Sequence, residues 1–143
     1  MGWFELDESR RPLVIIRLQT PSPVEHEIGL LTAKLDGILD AGENYALIVE
    51  TTKNQELTAS QRRQLGRWVR DRQAPVARLC VGQAFAIPAM VTRLVLRSIF
   101  MIASPPVPYV VVSTPTEAER FCAEKLAERG LRIPLPDLGR ESG

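Results

Sequence analysis

Apolar residues along this chain alternate between short unbroken runs and stripes spaced three and four apart, so strand-like and helix-like segments follow one another. Trp3 to Leu6 and Pro12 to Leu18 read as two strands joined by the polar link DESRR, a hairpin. The near-continuous β-branched run in PLVIIRL predicts a strand covered on both faces. Ser22-Pro23-Val24-Glu25 then predicts a helix start, with Ser22 as cap, Pro23 in the first turn and Glu25 closing a capping box. Val24, Ile28, Leu31, Leu35 and Ile38 form its apolar stripe, and Gly42 stops it. Tyr45 to Glu50 is a buried strand followed by the polar loop TTKNQE. Thr58-Ala-Ser-Gln61 opens a helix to about Asp71. Val76 to Val81 reads as the next strand, ended by Gly82, and a helix follows from about Pro88 to Ala103. Ser104-Pro105-Pro106 breaks that helix, Val107 to Ser113 is the last strand, and Thr114-Pro115-Thr116-Glu117 caps a final helix ending at Gly130.

The order β-β-α-β-α-β-α-β-α implies an α/β fold: a mainly parallel, mixed five-stranded sheet flanked by four helices. Residues 1–132 read as one domain without internal repeat or linker, and 133–143, rich in proline and glycine, as a loosely held tail.

Composition adds limits. With 143 residues, 45% hydrophobic and 24% charged, the chain can bury the core of one domain and is not of disordered composition. A net charge of +1 gives no global field toward nucleic acid or a membrane, so any electrostatic role rests on how charges are distributed. The start MGWFELDESRR lacks the basic and apolar regions of a signal peptide, and Arg93 and Arg97 interrupt the most apolar stretch, Phe85 to Ala103. No transmembrane segment and a cytoplasmic location are therefore expected.

The chemistry-bearing residues are sparse. His26 is the one histidine, set among glutamates at a helix start, where it reads as a surface residue. No nucleotide-binding, metalloprotease or hydrolase-elbow string is present, and the two cysteines have no metal-like spacing, so neither a cofactor nor a metal is expected. Cys80 is the one conceivable nucleophile, but its strand context reads as a packed thiol, and Cys122 as a free cysteine of a reducing compartment. An enzyme is not expected.

Two features remain. In the helix LTASQRRQLGRWVRDR, Arg63, Arg67 and Arg70 share one face while Leu65 and Trp68 belong to the core side. Such a face is either a solvated surface or a docking site for an acidic protein surface, a phosphate or a nucleic-acid backbone; few aromatics stand beside it, which disfavours nucleic acid. In the helix after Pro88, Met90, Val91, Leu94, Val95, Met101 and Ile102 form the broad arc expected to face the sheet. Leu96 and Phe100 then fall among Arg93 and Arg97 on the expected outer side, a composition suited to a protein interface, self-association, or an anionic membrane surface.

The stretches PLVIIRLQT, YALIVETT, VARLCVGQAFAIPAMVTRLVLRSIF and PYVVVSTPTEAERFCAEKL, in that order, resemble the STAS domains, particularly the SpoIIAA-like branch of bacteria. The resemblance covers about nine tenths of the chain in pattern and order. It implies a non-enzymatic regulatory or scaffolding domain acting through protein–protein interaction; another branch of the resemblance implies a lipid-like or membrane ligand. In anti-anti-sigma members a serine or threonine at a helix start is phosphorylated. Thr58 and Ser60 stand at the comparable place, but TTKNQELTAS lacks the family's Asp-Ser-Ser/Thr-Gly string, so the switch is not carried over.

Overall fold

The computed structural model describes residues 2–24 and 26–135. Its elements are β1 (Phe4–Arg10), β2 (Leu13–Leu18), α1 (Glu27–Asp40), β3 (Tyr45–Thr51), α2 (Ala59–Asp71), α3 (Gln73–Leu79), β4 (Cys80–Ala86), α4 (Met90–Phe100), β5 (Tyr109–Val112) and α5 (Pro115–Ala127). The fold is α/β as expected. The five strands lie side by side in chain order, β1 antiparallel to β2 and every later pair parallel.

The sheet separates two cores. Val14, Ile16, Leu47 and Cys80 belong to one, closed by Ile28, Leu31 and Ile38 of α1 and Val76 and Leu79 of α3, with Leu65 and Trp68 of α2 packed against it. Leu13, Ile15, Ala46, Ile48 and Ala84 meet Ala118, Cys122 and Leu126 of α5 in the other. The alternation of faces explains why β2 is apolar from Leu13 to Ile16: both sides of that stretch are buried. Leu131 and Ile133 pack on the second core, and the Pro134 carbonyl accepts from Arg10 Nε at 3.2 Å, so the tail is held that far. The remainder of the tail, 136–143, lies outside the described residues.

Several boundaries differ from the sequence expectation. Ser22 does not cap α1, which starts at Glu27; Glu25 lies outside the described residues. The Glu27 carboxylate instead accepts from the backbone N–H groups of Val24 (2.8 Å) and Trp3 (2.7 Å), tying the helix start to the strand that opens the chain. These bonds hold the Glu27 carboxyl below its usual range, that from Val24 contributing most. A fifth helix, α3, occupies much of the segment read as strand. Val76 and Leu79 are buried while Ala77 and Arg78 are exposed, a helical spacing rather than an alternating one. The fourth strand is CVGQAFA, and Gly82 lies inside it: a Cβ there would come within 2.9 Å of Lys125 Cγ and 3.3 Å of Phe121 on α5. The glycine admits α5 to the sheet rather than ending the strand. At the end of α5, Gly130 (φ 72°) lets the Leu131 N–H reach back to the Leu126 carbonyl at 2.9 Å.

Candidate functional site in the α2 and α4 layer

The capping box read in the sequence starts α2: Gln61 N donates to Thr58 Oγ1 at 3.1 Å and Thr58 N to Gln61 Oε1 at 2.9 Å. Thr58 and Ser60 are both exposed there, with the Thr58 hydroxyl engaged in the cap. From this start the helix turns Leu65, Trp68 and Val69 inward and leaves Arg63, Arg67 and Arg70 exposed. Its rotation is fixed by Asp36 of α1, which accepts from Trp68 Nε1 (2.9 Å) and, in a fork, from Arg72 Nε (2.8 Å) and Nη2 (3.0 Å). The Arg72 guanidinium, then the indole, holds the Asp36 carboxyl below its ordinary range.

The orientation of α4 differs from the one expected, although Val95 faces inward as read. Leu96 and Phe100 are half-buried and face inward with Thr92, Val95 and Ile99. Phe100 sits edge-to-face against Phe85 of β4 (5.4 Å between centroids) and Tyr109 of β5 (5.1 Å). The exposed side carries Met90 (69% exposed), Val91 (59%), Leu94 (54%) and Met101 (82%), together with Arg97. Both arcs of this helix are apolar, so hydrophobicity does not choose between them; the aromatic contacts to the sheet do. Arg93 is turned to a structural task, with Nε donating to the Ile87 carbonyl at 2.7 Å and Nη2 to Ser113 Oγ at 3.2 Å. Ile102, just past the helix, rests on α2, where a Cβ at Gly66 would fall 2.7 Å from its side chain. The segment ending α4 therefore packs on α2, and both helices expose side chains: Arg63, Arg67 and Arg70 on one, Met90, Leu94 and, just past its end, Met101 on the other.

The charge distribution sharpens this surface. Between Leu57 and Pro108 the sequence holds eight arginines, no lysine, no glutamate and one aspartate, Asp71, although the whole chain has a net charge of only +1. Arg63, Arg67 and Arg97 make no ion pair among the described residues, while Arg70 meets its neighbour Asp71 at 3.3 Å.

Beneath the layer, between α1, α2 and α4 and the sheet, lies a cavity of about 160 Å³. Its floor is Leu47, Val49, Gln83, Phe85 and Ile87, and no charged residue lines it. Most polar groups at its wall are satisfied within the protein. Trp3 Nε1 donates to Gln55 Oε1, Gln55 Nε2 to the Thr20 carbonyl, Gln55 N to Thr92 Oγ1, and the Thr51 hydroxyl to the Lys53 carbonyl. Gln83 is the exception: among the described residues its side chain makes one contact, Nε2 to the weak acceptor Cys80 Sγ at 3.9 Å.

Both thiols are buried, and burial pushes Cys80 up to about 11 and Cys122 up to about 12. Among the described residues no cluster of three or more histidine, cysteine and carboxylate side chains could hold a metal ion, and no helix is long and apolar enough to cross a membrane. Gln55, Gln83 and the Met90, Leu94 and Met101 arc are absent from the sequence-based site. Gln83 alone carried a signal, as a polar residue inside an apolar run. In comparisons with known proteins, no family model and no curated protein matches the chain.

Proposed function

We propose that the chain is a non-enzymatic regulatory or scaffolding domain that binds an acidic protein partner through the outer face of α2 and α4. The observation that supports it is the exposed apolar arc Met90, Val91, Leu94 and Met101 beside the arginines Arg63, Arg67, Arg70 and Arg97. Methionine and arginine are enriched at protein interfaces, whereas lysine and glutamate are depleted, and the segment from Leu57 to Pro108 has that bias. An acidic partner follows from charge complementarity: exposed guanidinium groups fork onto carboxylates, and the apolar arc supplies the area to be dehydrated. Of the docking residues taken from the sequence, Arg63, Arg67, Arg70 and Arg97 are kept, and Met90, Val91, Leu94 and Met101 replace the others. Leu96 and Phe100 support the helix from within, Arg93 anchors its start, and Arg97 with the α2 arginines contacts the partner. The STAS-like reading of the sequence implies the same class of function, a domain without catalysis that acts by association. Affinity capture with wild type beside a Leu94→Asp variant tests the proposal, and loss of the partner from the variant is expected.

A further inference from the structure

We infer that the cavity under α2 and α4 is a binding site for a compact, uncharged, mostly apolar molecule carrying one hydrogen-bonding group, and that Gln83 is the residue that recognises that group. Three observations carry it. First, the space is partly open to solvent, and its volume of about 160 Å³ is close to that of the engineered apolar cavity of about 150 Å³ that takes up benzene. Second, the lining excludes charge: it contains leucine, valine, isoleucine, aromatic and proline side chains and no ionisable carboxylate, ammonium or guanidinium, so an ionised ligand would lie there uncompensated. Third, one polar group is left over. Gln83 is 9% exposed, lines the cavity from the middle of the sheet, and has only a thiol 3.9 Å from its amide nitrogen. An amide offers two donors and an acceptor carbonyl; among the described residues no side-chain nitrogen or oxygen is fully buried without a partner, so the unused capacity of Gln83 lies where solvent or a ligand can reach it. The indoles of Trp3 and Trp68, Gln55, Thr51 and Thr92 around the same space all have protein partners, which singles out Gln83 as the group with capacity for a ligand.

The ligand class follows from this pairing. A phenol, a small alcohol or a primary amide would place its apolar body against Leu47, Val49 and Leu96 and its hydroxyl or amide on Gln83. The site would be selective, because a buried glutamine rejects an isostere that leaves it unpaired.

Benzene and phenol are matched probes, titrated into the intact chain by calorimetry and by the shift of the Gln83 side-chain amide resonance. Wild type should bind phenol at least about fivefold more tightly than benzene, with phenol moving the Gln83 amide resonance, and Gln83→Met should reverse the order. Equal phenol-to-benzene ratios in wild type and Gln83→Met would overturn the role of Gln83. Failure of both probes to bind wild type would overturn the site itself. Should Gln83→Met not fold, the wild-type ratio and the amide shift decide the same point. The acidic-partner proposal for the outer face stands or falls separately.

Discussion

The indole N–H of Trp3 donates to Gln55 Oε1 at 2.7 Å, joining residues 52 apart in sequence in a buried bond. Gln55 passes the connection on: its Nε2 donates to the Thr20 carbonyl at 2.9 Å and its backbone N–H to Thr92 Oγ1 at 3.1 Å. One residue thus ties the start of the chain and the loop after β2 through its side chain, and the first turn of α4 through its backbone, to the loop after β3. Gln55→Leu would leave the buried indole N–H without its acceptor and the Thr20 carbonyl without its donor. A loss of about 3 kcal/mol in urea unfolding is expected, since each orphaned polar group costs about 1–3 kcal/mol. A change under 0.5 kcal/mol would show that the network carries no weight.

The faces of α4 can be separated by stability alone. Phe100 contacts Phe85 and Tyr109, so Phe100→Ala should cost about 3 kcal/mol. Leu94 is exposed, and Leu94→Asp should change stability by no more than about 0.5 kcal/mol. Thermal unfolding of the two variants checks this, and the reverse ranking would restore the orientation with Leu96 and Phe100 outermost.

Carboxylates with depressed pKa values set the acid response. Hydrogen bonds from Ser9, then Arg17, lower Asp7 to about 2, and Arg72 and Arg10 lower Asp36 and Glu119. Each is more acidic folded than unfolded, so its contribution is complete above the ordinary carboxylate pKa near 4 and is lost as pH falls through the folded value. Stability from these groups should be flat between about pH 5 and 7 and decline below about pH 4. The Asp36 contacts are part-exposed, so Asp36→Asn should cost only about 1 kcal/mol at pH 7 and make the acid decline shallower. Urea unfolding from pH 2.5 to 7 measures both, and an unchanged acid slope in the variant would contradict the assignment.

Cys80 and Cys122 should resist alkylation. Both are buried, and burial holds both thiols protonated at pH 8. Labelling in native buffer should run at least about a hundredfold slower than in urea, because it requires opening of the fold. Rapid labelling of Cys80 alone would contradict the packed thiol and favour a nucleophile.

The fold was legible where one side of an element is plainly apolar or a cap is plainly written. The β2 run and two of the three capping boxes, Thr58 with Gln61 and Thr114 with Glu117, appear where the residues predict them, whereas Ser22 does not cap α1. Errors arose where two readings share a pattern. Val76, Leu79 and Cys80 suit a buried strand as well as a helix followed by a strand. Gly82 reads as a stop until Lys125 and Phe121, about forty residues on, are seen to lie over it. The candidate surface failed for a similar reason. Both arcs of α4 are apolar, and only Phe85 and Tyr109, on other strands, fix which one turns inward. Gln55 gives no local sign of burial, standing in a loop of polar residues whose neighbours Asn54 and Glu56 are exposed.

The central claim, a partner site on the outer face of α2 and α4, is tested most directly by affinity capture with four baits: wild type, Leu94→Asp, Arg63→Glu with Arg67→Glu, and Glu124→Lys on exposed α5 as control. The account predicts an acidic protein held by wild type and the control, released by both outer-face variants, and weakened as salt rises, since exposed charge pairs are screened. Recovery of the same protein by all four baits, or of none by wild type, would contradict it.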